Sequence, residues 1–235
     1  SAGSGYTSTP IVKFCPSGPA FKNASYNKPL VPAGGVYNYF ASKFRNKAIA
    51  AGSDLCTTTS NTNIAGGTYN GFKYCSGDAT LTDVLVNPPD ITFTGNSVFF
   101  IDGNLRIDGN IKASGGNSVV FIVKGNIVVN RNKIVDGYIT GLDGVYIARK
   151  GFADTDAEFG QDSWLSGNNT SALTINGGLY VDCEEGAKIN LLRYWPNVNV
   201  NVTYPSDIFK FDPKYLIILN DLLASPAIGW KEVAP

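Results

Sequence analysis

Asn96-Ser-Val-Phe-Phe-Ile-Asp-Gly-Asn-Leu-Arg-Ile107 returns, with one residue inserted, as Asn117-Ser-Val-Val-Phe-Ile-Val-Lys-Gly-Asn-Ile-Val-Val129. Two shorter copies follow, Gly144-Val-Tyr-Ile-Ala148 and Gly178-Leu-Tyr-Val-Asp182. Aligned on their aromatic residues, the copies place Phe100, Phe121, Tyr146 and Tyr180 in one column, at spacings of 21, 25 and 34 residues. Spacings in that range mark chains built from stacked supersecondary units. The flanking columns are Phe99, Val120, Val145, Leu179 and Ile101, Ile122, Ile147, Val181. Residues i and i+2 of a strand share a face, so the two aliphatic columns point one way and the aromatic column the other. Strands stacked about 4.8 Å apart turn the aliphatic columns into a continuous interior. Gly103 and Gly125, each followed by Asn, mark equivalent corners where both residue types tolerate positive φ. Leu105/Ile107 and Ile127/Val129 then supply a second strand with its own inward face. The pattern predicts a mostly β fold, a β-solenoid of the right-handed parallel β-helix kind. An antiparallel sandwich with coincidental similarity is the competing reading.

Outward from the repeat, the chain divides in three. Residues 1–80 read as an extended segment and a cap, 81–203 as the solenoid, and 204–235 as a tail for packing or interaction. The cap holds one convincing amphipathic helix, about Val36 to Ala51, in which Val36, Phe40, Phe44 and Ala48 recur every fourth residue. An exposed strip of Phe100, Phe121, Tyr146 and Tyr180 is too apolar to leave wet. The helix is expected to cover it through Phe40 and Phe44. The stretch from Cys56 to Cys75 reads as a polar Thr/Asn/Gly loop or hairpin.

Composition narrows the compartment and the chemistry. The 235 residues are 43% hydrophobic, enough for a real core, and 19 basic residues balance 19 acidic ones. That balance leaves no electrostatic footprint for nucleic acid or an anionic membrane. The chain contains no His, which removes imidazole bases, His metal ligands and Ser-His or Cys-His couples. It also contains no Met, so Ser1 is expected to follow processing or trimming. No stretch approaches the ~18–20 apolar residues of a membrane-spanning helix. Cys15, Cys56, Cys75 and Cys183 form an even set without a C-x-x-C pair, which predicts two disulfides in an oxidising compartment. Three pairings are open. Asn23, Asn168, Asn169 and Asn201 each begin an N-x-[ST] sequon, although a chain this rich in Asn, Ser and Thr also produces such triplets by chance. Together these features predict an exported, processed protein outside the cell or on its surface.

Catalytic signals are thin. Asp102, Asp108, Asp136, Asp143, Asp182, Glu184 and Glu185 are scattered, and no spacing forces two carboxylates within the ~5–10 Å that glycoside hydrolysis needs. Asp-Gly and Asp-Gly-Asn are better read as turns. The densest acidic cluster runs from Asp154 through Asp156 and Glu158 to Asp162. Alternating carboxylates suit calcium, which makes Asp154, Asp156 and Glu158 candidate ligands, with a solvated polar loop as the plainer reading. No other cofactor is expected.

The closing motifs add a resemblance. Phe99 to Ile107, Val120 to Val129, Gly144 to Ala148, Asp212 to Leu216 and Trp230 to Pro235 resemble uncharacterised exported proteins of environmental bacteria. Those combine a (V/F)-F-I strand, a G-N-(I/L)-x-(I/V) strand, G-V-Y-I-A, D-P-x-Y-L and a W-x-E-V-A-P ending. The resemblance covers about residues 91–235 and implies a cell-surface or extracellular β-solenoid without a known activity.

The functional expectation is a non-enzymatic structural protein, a self-assembling surface filament, pilus-like or sheath subunit whose partners are copies of itself. A carbohydrate-binding adhesin is the first alternative and predicts an exposed aromatic row that meets surface glycans. A polysaccharide-degrading enzyme is the second and predicts clustered acids in a groove.

Overall fold

The computed structural model describes residues 35–52, 54–56, 62–83, 90–130, 139–154, 163–164, 172–182, 187–194, 205–212 and 214–215. Among these the fold is mostly β, with parallel sheets and one helix. Helix α1 spans Gly35–Ala50. Fifteen strands belong to three ladders. The first ladder holds β1 (Thr62–Ile64), β4 (Ala79–Leu81), β7 (Leu105–Ile107), β10 (Asn126–Val129), β12 (Gly151–Ala153) and β15 (Lys188–Asn190). The second holds β2 (Gly67–Thr68), β5 (Asp90–Thr94) and β8 (Asn110–Ala113), then the first halves of β11 (Gly141–Ala148) and β14 (Leu173–Val181), then β17 (Asp207–Lys210). The third holds β3 (Gly71–Cys75), β6 (Ser97–Ile101), β9 (Val119–Val123) and the second halves of β11 and β14. A separate parallel pair joins β13 (Ser163–Trp164) to β16 (Arg193–Tyr194).

Every pairing is parallel, and the chain visits the ladders in the same order each time, β1-β2-β3, β4-β5-β6, β7-β8-β9. An antiparallel sandwich is therefore ruled out. The ladders begin at Thr62, inside the stretch assigned from sequence to the cap, and β17 lies in the stretch assigned to the tail. The described part of the Cys56–Cys75 stretch, residues 62–75, forms no hairpin: β1, β2 and β3 pair in parallel with β4, β5 and β6 respectively.

Register corrects the sequence alignment by one residue. Phe99, Phe121, Tyr146 and Leu179 stand in one column, and Phe100, Ile122, Ile147 and Tyr180 in the next. Ile101 consequently stacks on Val123 and Ala148 rather than on Ile122 and Ile147, whereas Ile122 and Ile147 do pair. The corner fixes this choice. Gly125 N–H donates to the Gly103 carbonyl at 2.9 Å, so the two Gly-Asn corners align and the inserted residue falls before β9.

The inside and outside are exchanged relative to expectation in the second and third copies, whereas in the first Phe99 and Ile101 face the main core and Phe100 faces the helix, as expected. Phe99, Phe121 and Tyr146 lie in the main core with Ile101, Val123, Leu105, Ile107, Ile127 and Val129. Phe99 stacks on Phe121 at 5.2 Å between centroids, and Phe121 on Tyr146 at 5.5 Å. The opposite face of β6, β9 and β11, carrying Val98, Phe100, Val120, Ile122, Val145 and Ile147, forms a second core beneath α1 with Tyr37, Phe44 and Ala48. Both faces of these strands are buried, which is why their sequence is a continuous apolar run without alternation. Helix α1 crosses β3, β6, β9, β11 and β14, the lateral docking expected of it, with Phe44 buried and Phe40 half-buried.

Gly103 and Gly125 are needed for a reason other than left-handed backbone, since neither has positive φ. A Cβ on Gly103 would collide with the Asp78 carboxylate and backbone, and one on Gly125 with the Asn104 side chain and the Gly103 carbonyl. Asp78 accepts from Asn104 N–H at 2.7 Å, and the Asn104 side chain accepts from Asn126 N–H at 2.9 Å. The corner is thus a stacked ladder of its own, and only glycine leaves room for it.

Candidate functional site

The groups that carry charge or reactivity fall in four places. The first is the seat of α1. Asp182, at the end of β14, accepts Tyr37 N–H at 3.0 Å and so caps the helix N-terminus, where a negative charge is favoured. Farther along, Arg45 forms an ion pair with Asp102, and Tyr74 O–H donates to the same carboxylate at 2.6 Å. Burial alone would raise the Asp102 carboxyl, but hydrogen bonds from Arg45 and Tyr74 hold it below the usual carboxylate range. Burial and the Asp102 carboxylate push the Tyr74 hydroxyl up to about 12. This is an anchor for the helix.

A shallow cleft of about 500 Å³ is the second, open along β5, β8 and β11 and flanked by Asp90, Asn110, Lys112 and Asp143. Its polar atoms already serve the ladder. Lys112 pairs with Asp90, the Asn110 side chain accepts from Thr140 N–H at 2.8 Å, and Asp143 accepts from Ala113 N–H at 3.2 Å and from the Asn176 side chain at 3.2 Å. Among the described residues no aromatic side chain borders the cleft.

The third is a buried acid–base cluster. Asp154, fully buried, accepts Leu192 N–H at 2.7 Å and Arg193 N–H at 3.0 Å. Arg193 in turn donates to the Asp154 carbonyl at 3.0 Å and the Ile139 carbonyl at 2.6 Å. Asp207, at the start of β17, joins them and is pushed up to about 7, first by burial and then by the neighbouring Asp154 charge. Burial raises the Asp154 carboxyl as well, against the two backbone N–H groups and Arg193. The cluster ties β12, β16 and β17 together. Residues so far apart in sequence gave no signal that they would meet.

The fourth is the pair of ladder ends. Among the described residues no strand pairs with the outer edge of β1, β2 or β3, or with that of β15 or β17. Phe209 and Phe211 are exposed at the β17 end.

The residues singled out from sequence distribute as follows. Of the calcium candidates, Asp154 spends its carboxylate on the Leu192 and Arg193 N–H groups, while Asp156 and Glu158 lie outside the described residues. Among the described residues no three acidic or cysteine side chains converge on a metal-sized site. Cys56 and Cys75 form a disulfide, and Asp54 accepts from Cys56 N–H at 2.9 Å and Ser76 N–H at 3.0 Å beside it. Cys15, Cys183 and the sequons at Asn23, Asn168, Asn169 and Asn201 lie outside the described residues, as do Asp136, Glu184 and Glu185. Asp108 accepts from Arg106 at 2.9 Å and makes no cluster with Asp102. Of the four residues proposed as an aromatic platform, Phe100, Phe121 and Tyr146 are buried, and Tyr180 alone is exposed.

No family model, no curated protein and no solved structure matches the chain.

Proposed function

We propose that the chain is a β-solenoid, a right-handed parallel β-helix, and that it serves as an extracellular structural protein which assembles with copies of itself into a surface filament or sheath. The observation that carries the reading is uniform parallel stacking that ends, among the described residues, in strand edges with no partner on either side. Parallel crossovers are right-handed in about 98% of cases, which sets the handedness. A stack of rungs has no intrinsic end, so its first and last edges must be covered or joined to a neighbour. The Cys56–Cys75 disulfide favours an oxidising compartment. No helix among the described residues is long and apolar enough to cross a membrane. The resemblance of the motifs within residues 91–235 to exported surface proteins adds to the reading.

Two features weigh against the alternatives. A lectin-like platform loses most of its residues to the core, since Phe121 and Tyr146 are buried. Hydrolysis is disfavoured because Asp102, Asp108, Asp143 and Asp154 are each engaged in a structural contact.

The test is the size of the chain under non-reducing conditions, by analytical ultracentrifugation and negative-stain electron microscopy. Concentration-dependent polymers are expected. A monomer at every concentration overturns the reading.

A further inference from the structure

The second ladder contains one interior column that can be followed from end to end. Ile91, Ile111, Leu142, Ile175 and Phe209 stand one above the next by register. The first four are at most 2% exposed, whereas Phe209 is 48% exposed. Strand parity explains the contrast. Phe209 points the way the core residues point, and no further rung among the described residues lies over it. Among the described residues it is a core-column side chain with nothing stacked over it, and Phe211 beside it is 64% exposed.

The opposite end of the same column is shaped differently. Gly67 pairs with Phe93, which carries the column from Ile91 back to Ala65, an exposed residue followed by Gly66 and Gly67. The surface there presents one methyl group, two residues without side chains and the ring of Tyr69, which would stand 3.5 Å from a Cβ on Gly67 and whose O–H donates to the Ala65 carbonyl at 3.2 Å. A bulky apolar knob at one end is thus matched in shape, at the other, by a shelf of small residues bordered by the Tyr69 ring. The first ladder likewise ends in β1 on the shelf side and β15 on the knob side, so both six-strand ladders can continue into a neighbour. The third ladder, one strand shorter, ends at β14.

We propose that β17 of one copy adds in parallel to the β2 edge of the next, with Phe209 seated on the Ala65–Gly67 shelf. The partner is a second copy of this chain, held by main-chain hydrogen bonds between edges and by the seated phenyl group. The contact joins two different surfaces, so it repeats into an open filament unless its rotation closes a ring. The proposal rests on the self-association reading above and assigns the surface through which that association takes place.

Cross-linking of the full chain tests it. Lys210→Cys and Thr68→Cys place single thiols on the two exposed edges without removing Phe209. A short bismaleimide is expected to join the two variants when they are mixed, and to leave each alone largely uncoupled. Phe209→Asp is expected to raise the concentration needed for assembly at least tenfold while leaving the monomer's Tm nearly unchanged. If wild type assembles but the mixed pair does not couple, or Lys210→Cys couples to itself, this docking is wrong and self-association stands. The docking is equally wrong if Phe209→Asp assembles at the wild-type concentration. A loss of Tm in the Phe209→Asp monomer as large as that of Phe44→Ala means that the chain's own residues cover Phe209, and overturns the proposal. A wild type that never assembles overturns both the docking and the function from which it follows.

Discussion

Arg45, projecting from α1, closes on the carboxylate of Asp102 at the end of β6, and Tyr74 from β3 completes the group. Three elements distant in sequence are pinned at one point. With Asp182 capping the first turn, the helix is held near both of its ends. The ion pair is partly open to water, so its worth is modest, about 1 kcal/mol. A double-mutant cycle with Arg45→Ala and Asp102→Ala is expected to return a coupling of that order in denaturant unfolding. A coupling indistinguishable from zero would remove this group as an anchor.

Between the anchors, the helix is held by apolar contact. Phe44 stacks on Phe72 at 5.9 Å, which in turn meets Phe100 at 6.4 Å. Truncating a buried phenylalanine costs about 3–5 kcal/mol. Phe44→Ala is therefore expected to lower Tm clearly, Phe40→Ala less, and Ile49→Ala, on the exposed side, hardly at all. Equal losses at the three positions would contradict the docking.

The Gly-Asn corners make a sharper prediction, because they depend on absent atoms. Gly125→Ala drives a methyl group into the Asn104 side chain and the Gly103 carbonyl. Strain at a packed backbone contact costs on the order of 1–3 kcal/mol. Gly116→Ala, whose Cβ would meet nothing within 4 Å, pays only for its left-handed φ of 79°. Urea unfolding of the two variants should rank Gly125→Ala as the less stable. The reverse order would mean that the corners do not stack as described.

These corners also show how far the sequence could be read. Gly103-Asn104 and Gly125-Asn126 announced the repeat, and the strand after each corner kept a readable alternation, buried at Leu105, Ile107, Ile127 and Val129. The strand before each corner did not. Val119 through Val123 is buried on both faces, so nothing in its composition distinguishes inside from outside. Matching aromatic to aromatic then chose a register wrong by one residue at Phe100 and Tyr180, and put Phe121 and Tyr146, though not Phe100, wrongly beneath the helix. The earliest rungs escaped notice because β1 and β2 are short and polar, Thr62-Asn-Ile64 and Gly67-Thr68. Phe209 gave no sign of its place either, since a core column at an open end looks like any exposed apolar residue.

Asp207 brings a pH dependence whose direction is fixed. Its carboxyl, pushed up to about 7 by burial and by Asp154, holds its proton more tightly folded than unfolded, where the value is about 3.9. Its contribution is therefore most favourable below about pH 4, declines as pH rises toward 7, and levels off above that. Asp154, also raised, acts in the same sense. Asp207→Asn removes the decline, so its Tm relative to wild type should rise between pH 5 and pH 8. A difference that stays constant across that interval would contradict the assignment.

Cryo-electron microscopy of the assembled protein tests the central claim most directly. The six strands of each long ladder among the described residues, spaced about 4.8 Å apart, would give the proposed filament an axial repeat of roughly 29 Å with strands perpendicular to its axis. Filaments with that repeat and with Phe209 at the junction are the predicted result. Filaments whose strands run along the axis, or a preparation containing isolated monomers alone, would contradict it.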